Sequence, residues 1–221
     1  TRKQCDIGAF FVRKKDTAEN KGMIRLVLDC RPVSQLHRSP PKSRLATPGA
    51  LGTLCPSGEW ARLSASCDHE ADLAVTGASI DLQDGYHQFA AESVSSWFCL
   101  GERFRASEVG VTEVYSDATG QMEHVSPEQS LWACFRGLPM GWSWALFFCH
   151  SALQEAGKRA LVSCGLPPVT LADWEPSPRF TKSSEVVAPY VDNGNVIAGS
   201  PAVASKVLDA LVAELEQLGF K

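Results

Sequence analysis

The chain has 221 residues, 44% of them hydrophobic and 21% charged, and a formal net charge of -4. That composition lies near the globular average, which excludes wholesale disorder, and the length suffices for one or two domains with a sizeable core. No run of about 18 apolar residues and no charged-then-apolar leader is present, so neither a membrane-spanning helix nor a signal segment is expected.

The first residue is Thr1 and not Met, as expected of a processed chain or of a segment of a longer one. The eight cysteines are spread singly, without a Cys-x-x-Cys, and the five histidines do not pair with them at zinc-finger spacing. Reduced, partly buried thiols in an intracellular protein are the simplest expectation. Cys67-Asp68-His69 supplies half of a metal site and no second half follows. The charge is uneven: the first 45 residues hold 11 Lys/Arg against 4 Asp/Glu, while the remainder is acidic. A basic third on an acidic body suggests a local anion-binding surface, with an ordinary solvated face as the alternative.

In chain order, Ile7–Val12 and Met23–Leu28 read as two strands joined by the polar stretch 17–22. Lys14, Lys15 and Arg25 fall near the connecting end, where cations suit a triphosphate. Residues 29–36 leave the strand through one short helical turn. Residues 37–58, rich in Pro, Ser and Gly, read as an extended connector, and Trp60–Ser66 as a short helix. The stretch 74–89 is a small-residue strand that ends at Asp81, turns through Asp84-Gly85 and presents Tyr86.

Residues 90–134 are the least regular. Short strands are expected at 97–100, 111–115 and 131–135, with 102–129 as a charged inserted loop. Leu138-Pro-Met-Gly141 is a turn, and a helix follows over 142–161 with Trp144, Phe147, Phe148 and Leu153 on its apolar side. A glycine just before that helix, Gly141, permits close approach of a ligand. Residues 166–182 are loop. Val186–Val191 and Asn195–Ala198 then flank Asp192-Asn193-Gly194, a hairpin whose Asn-Gly suits a tight primed turn. Asp192 at its tip sits on a rigid support, although the same residues are also ordinary turn chemistry. A last helix is capped by Ser200, opens with Pro201, carries Val203, Val207, Leu208, Leu211, Leu215 and Leu218 at helical spacing, and stops at Gly219.

This order is α+β, with two helices on one face of an antiparallel, ferredoxin-like sheet. Asp81 at a strand end and Asp192 at a hairpin tip can converge across that sheet. Two such carboxylates can hold paired hard divalent cations, the arrangement that serves phosphoryl transfer.

Four stretches, Arg25-Leu-Val-Leu-Asp-Cys-Arg-Pro-Val-Ser34, Ile80-Asp-Leu-Gln-Asp-Gly-Tyr-His-Gln88, Gly137-Leu-Pro-Met-Gly141 and Tyr190-Val-Asp-Asn193, occur in the order of reverse transcriptase motifs. The chain resembles the retroelement polymerases over nearly its whole length. The resemblance implies the fingers (1–74 and 91–136) and palm (75–90 and 137–221) of a right-handed polymerase, without thumb or RNase H segments. It implies that Asp81 and Asp192 hold two magnesium ions, with manganese as a substitute. It further implies that Lys14 or Lys15 and Arg25 grip the incoming triphosphate, that Tyr86 excludes a 2′-hydroxyl, and that Met140 and Gly141 line the nucleotide and template pocket. The partners would be an RNA or DNA primer–template and deoxynucleoside triphosphates. The family has a second aspartate where this chain has Asn193, which keeps a neutral oxygen but removes a full charge, so impaired catalysis is expected. The rival reading is a polymerase-like module that binds nucleic acid or protein without catalysis. A third is an unrelated ferredoxin-like binding domain. Oligomeric state is not legible in the sequence.

Overall fold

The computed structural model describes residues 3–15, 21–54, 75–116, 118–176, 178 and 184–221. In chain order its main elements are β1 (Asp6–Arg13), β2 (Ile24–Asp29), α1 (Arg31–Leu36), α2 (Pro48–Gly52), β3 (Thr76–Asp81), β4 (Cys99–Arg105), β5 (Glu113–Ser116), β6 (Gln121–His124), β7 (Ser130–Cys134), α3 (Ser143–Ser163), β8 (Glu185–Tyr190), β9 (Asn193–Ala198) and α4 (Pro201–Gln217). Among the described residues no helix is long and apolar enough to cross a membrane. The chain divides into two compact units, one of Thr1–Pro40 with Tyr86–Ala145, the other of Pro41–Gly85 with Leu146–Lys221.

The first unit holds a four-stranded sheet in the order β2-β1-β4-β7 and a separate hairpin of β5 with β6. β1 and β2 are antiparallel, and β1 meets β4 in parallel only through Asp6 and Ile7. The outer half of the β1–β2 hairpin is therefore a two-stranded ribbon, and Phe10, Phe11, Ile24 and Leu26 are exposed on it. Ile7, Cys30, Val33, Phe98, Leu138 and Trp142 form the core below, with Phe98 and Trp142 in edge-to-face contact at 5.1 Å. The expected inserted loop over 102–129 is corrected: it contains the end of β4 and the whole β5–β6 hairpin. The expectation of separate reduced thiols is corrected too. Cys99 and Cys134 face each other across β4 and β7 and are joined as a disulfide. Cys55, Cys67 and the Cys67-Asp68-His69 triplet lie outside the described residues, as does the helix expected over Trp60–Ser66.

The second unit is built on a three-stranded antiparallel sheet in the order β3-β9-β8. β3 and β8 thus run parallel with β9 inserted between them, a split β-α-β arrangement whose helix in chain order is α3, with α4 following β9, and the mixed α+β class read from the sequence is found. Strand alternation sorts the residues. Ile80, Val187, Gly194 and Val196 face α4 and the part of α3 from Leu146 onward, where Leu153, Leu161, Val207, Leu211 and Leu215 are buried. Val186, Ala188 and Ile197 face the other way and pack against Ala46, Ala50 and Leu171. The connector read over 37–58 is accordingly not all extended: Thr47 caps α2 by accepting from the Ala50 amide at 3.3 Å and donates to Asp173 at 2.6 Å. α4 follows the sequence closely, with the Ser200 hydroxyl accepting from Val203 N–H and Gly219 at φ +89°.

The buried side of α3 differs from the expected aromatic one. From Leu146 onward, Cys149, Leu153, Ala156 and Ala160 are buried while Phe148 is exposed, because small residues let the helix lie close to the sheet. Gly157 marks the tightest point: a Cβ there would sit 2.7 Å from Val187 Cγ1. Helix propensity alone favours Gly157→Ala by about 1 kcal/mol. We expect the substitution instead to destabilise by about 1–2 kcal/mol through overpacking, and to become stabilising in a Val187→Ala background. Urea melts of the four variants measure that reversal of sign, and a stabilising single substitution would refute it.

Candidate functional site

β3 ends at Asp81, whose partner across the ladder is Asn193, the first residue of β9. Asn193 is also paired with Tyr190, the last residue of β8. Asp81, Asn193 and Tyr190 therefore form one row across the three strands, on the face that carries Ser79 and Asn195 in the next row. Asp81 is exposed, Asn193 half-buried, and Tyr190 is 42% exposed.

The register moves the hairpin turn. Asn-Gly was expected at its centre, but the two loop residues are Val191 and Asp192, while Asn193 and Gly194 are already in the strand. The reason is packing: a Cβ on residue 194 would lie 2.9 Å from Leu211 Cδ2 and 3.0 Å from Ile80 Cγ1. Gly194 is needed where α4 meets the sheet, and the positive φ falls to Val191 at +59°. A positive φ at the first loop position alone is the sign pattern of a type II′ turn, where glycine is usual. A buried β-branched residue in that conformation stores strain.

Asp192, half-buried, is held from several sides. Its carbonyl accepts from Leu82 N–H at 3.1 Å, and its carboxylate accepts from the Asn193 amide at 3.0 Å. A Cβ on Gly85 would come within 3.1 Å of Asp192 Cβ, so the glycine after Asp84 leaves the space that the Asp192 side chain occupies. Cys149 of α3 donates its thiol hydrogen to the Val191 carbonyl at 3.6 Å. Burial pushes that thiol up to about 12, and the neighbouring Asp192 carboxylate adds to the effect, so Cys149 stays protonated at neutral pH. Gly85, Cys149 and Val191 were not singled out from the sequence as site residues. Gly85 reads there as turn chemistry, and Cys149 as one of several scattered thiols.

The donor set at this end of the sheet is two carboxylates and a carboxamide. Among the described residues no group of three or more His, Cys, Asp or Glu gathers anywhere. A hard divalent ion accepts such oxygens, and the net charge they offer is one unit short of a three-carboxylate site.

The remaining residues singled out from the sequence belong to the first unit. Lys14 N–H donates to Met23 O at 2.9 Å, closing the β1–β2 hairpin, and Lys15 is exposed just beyond it. Arg25 is exposed on β2 opposite Val12. Arg31, by contrast, is committed to Asp29 at 2.6 Å, and the guanidinium holds that carboxyl at about 2. Tyr86 packs half-buried against the first unit's core, and its carbonyl accepts from Leu138 N–H at 3.2 Å. Met140 is 49% exposed. Gly141 has φ +107°, and a Cβ there would lie 3.3 Å from Leu28 O, so the close approach it permits is to β2 backbone.

One buried polar group stands apart from the carboxylates. His150 of α3 is 2% exposed; its Nε2 donates to Arg44 O at 3.1 Å, and among the described residues its Nδ1 has no hydrogen-bond partner. Burial lowers its pKa below the usual imidazole range, so folding favours the neutral ring. Above about pH 6.5 the ring is neutral whether folded or not and adds no pH dependence. As the pH falls below that value the unfolded chain gains the proton first, and stability is lost at up to about 1.4 kcal/mol per pH unit. Urea titrations from pH 7.5 to 5.5 should show this loss, and His150→Gln should lack that part of it.

Comparison with protein-family models finds no match, and comparison with curated proteins finds none. What fold and geometry define is a mixed α+β chain with a two-carboxylate end on its three-stranded sheet.

Proposed function

We propose that this chain is a reverse-transcriptase-like domain for template-directed nucleotidyl transfer by two-metal catalysis, with catalysis impaired by Asn193. The observation that carries the reading is the pairing of Asp81 with Asn193 directly beside Asp192, which brings motif residues from two distant stretches of the chain to one sheet end. The order of the four motifs along the sequence supports it, as does the split β-α-β arrangement. Asp81 and Asp192 would hold magnesium or manganese, which when bound stabilises the attacking and leaving oxygens of phosphoryl transfer. Asp192 is positioned for this by Leu82 N–H and by the space at Gly85. Lys14, half-buried, and the exposed Lys15 and Arg25 would bind the triphosphate as cations, and Tyr86 would stand under the sugar.

A specific contact favours the rival reading of a non-catalytic module that binds nucleic acid. The Asn193 amide hydrogen occupies one oxygen of Asp192, so its own oxygen is turned from that carboxylate.

Primer extension separates the two. The chain should extend a primer poorly in manganese, Asn193→Asp should extend it faster, and Asp81→Asn should abolish extension. In the active variant Tyr86→Ala should raise ribonucleotide use relative to deoxynucleotide use. Extension by Asp81→Asn at the parent rate would end the polymerase reading. Retained primer–template binding without extension, with a salt slope flattened by Ala at Lys14, Lys15 and Arg25, would favour the module.

A further inference from the structure

We infer that Cys149 is a positioning residue for Asp192: its thiol holds the strained peptide that precedes the carboxylate. Val191 is 9% exposed and sits at φ +59°, a region where a β-branched side chain is opposed by its own backbone. Left to local preference, the Val191–Asp192 peptide would rotate and carry the Asp192 Cα with it. Two contacts act against that rotation from outside the hairpin, one on each successive carbonyl. Cys149 Sγ lies 3.6 Å from Val191 O, and Leu82 N lies 3.1 Å from Asp192 O. The first comes from a helix and the second from the residue after Asp81, so the turn is tied both to α3 and to the other carboxylate's strand.

Cys149 is 1% exposed, inside the packed side of α3, so it delivers the donor from a rigid support. Sulfur suits the place. Its long bonds span from the helix to the carbonyl without bringing the backbones closer, and the thiol adds no buried charge. An S–H···O contact is weak, and it acts together with the Leu82 bond to hold the turn. The consequence for metal affinity rests on the two-carboxylate reading above; the clamp itself does not.

Amide hydrogen exchange of the full chain tests the clamp directly. Leu82 N–H reports whether the Asp192 carbonyl is in place, and Ala78 and Val196 report on the middle of the same sheet. Cys149→Ala should speed exchange at Leu82 by about fivefold while leaving Ala78 and Val196 unchanged. Cys149→Ser, whose shorter C–O bond leaves the hydroxyl short of the carbonyl, should fall between the parent and Cys149→Ala. Val191→Gly removes the strain without touching α3, and in that background Cys149→Ala should be silent at Leu82. Unchanged Leu82 exchange in Cys149→Ala would overturn the inference, as would an equal rise at all three amides, which is general loosening. Manganese titration of the same variants gives the second arm, in which Cys149→Ala should weaken the ion about fivefold. If Asp192→Asn leaves manganese affinity unchanged while the Leu82 result holds, the metal reading fails and the clamp stands.

Discussion

Asn193→Asp should lower the stability of the ion-free chain by about 1–2 kcal/mol and enlarge its stabilisation by manganese. The apo loss has two sources. The substitution removes the amide hydrogen that the Asp192 carboxylate accepts at 3.0 Å, and it places a second charge beside that half-buried group. It also lies directly opposite Asp81 in the ladder, where like charges oppose pairing. The same three charges are what a hard divalent ion requires, so its affinity for the folded state rises. Each tenfold gain in affinity adds about 1.4 kcal/mol at saturating ion, or roughly 3–6 °C in Tm for a chain of this size. Thermal melts with and without manganese check both halves. Asp192→Asn should abolish the ion-dependent shift altogether, and equal shifts in all three proteins would place Asn193 outside any metal site.

Gly194→Ala should destabilise the second unit by about 2–3 kcal/mol, the upper range for overpacking. A methyl at this position would lie 2.9 Å from Leu211 Cδ2 and 3.0 Å from Ile80 Cγ1, and Leu211 is fully buried with nowhere to swing. Strand propensity, by contrast, slightly favours Ala over Gly, so the sign itself is diagnostic. Leu211→Ala would recover part of the loss in the double variant while costing stability alone. A neutral Gly194→Ala in denaturant titration would mean that the register places residue 194 in a turn, with Asn193-Gly194 as its centre.

That contrast shows where the sequence was legible. α4 announces itself through a Ser cap, a Pro at its first position, apolar residues at helical spacing and a terminal Gly, all signals local to the helix. The hairpin too is visible as an element, from its β-branched runs. Its register is not, because Asn-Gly is the usual turn signal and the glycine here answers to Leu211 and Ile80, which are remote in sequence. The buried side of α3 is hidden for a related reason: aromatics advertise burial, but the distance to the sheet is set by Ala156, Gly157 and Ala160. The disulfide leaves no spacing signal in the sequence, because Cys99 and Cys134 are 35 residues apart and meet only through the pairing of β4 with β7. At the candidate site, Asp81, Asp192 and Asn193 were readable from motif order, while Gly85, Val191 and Cys149, which hold Asp192 in place, were not.

The division of the second unit into two stretches, Pro41–Gly85 and Leu146–Lys221, bears on how the row of Asp81, Asn193 and Tyr190 comes to exist at all. α2's cap residue Thr47 bonds to Asp173, 126 residues away, and β3 cannot find its partner β9 until nearly the whole chain is available. Contacts so distant along the chain close large loops before they are rewarded, which makes folding slow and late for the elements involved. During synthesis β3 must therefore wait, with Asp81 at its end and no ladder beside it, while the β8–β9 hairpin can close locally on its own residues. Asp81 can pair with Asn193 only when the early strand docks onto the late hairpin, so the event that completes the sheet also brings Asp81 and Asp192 to the same end of it.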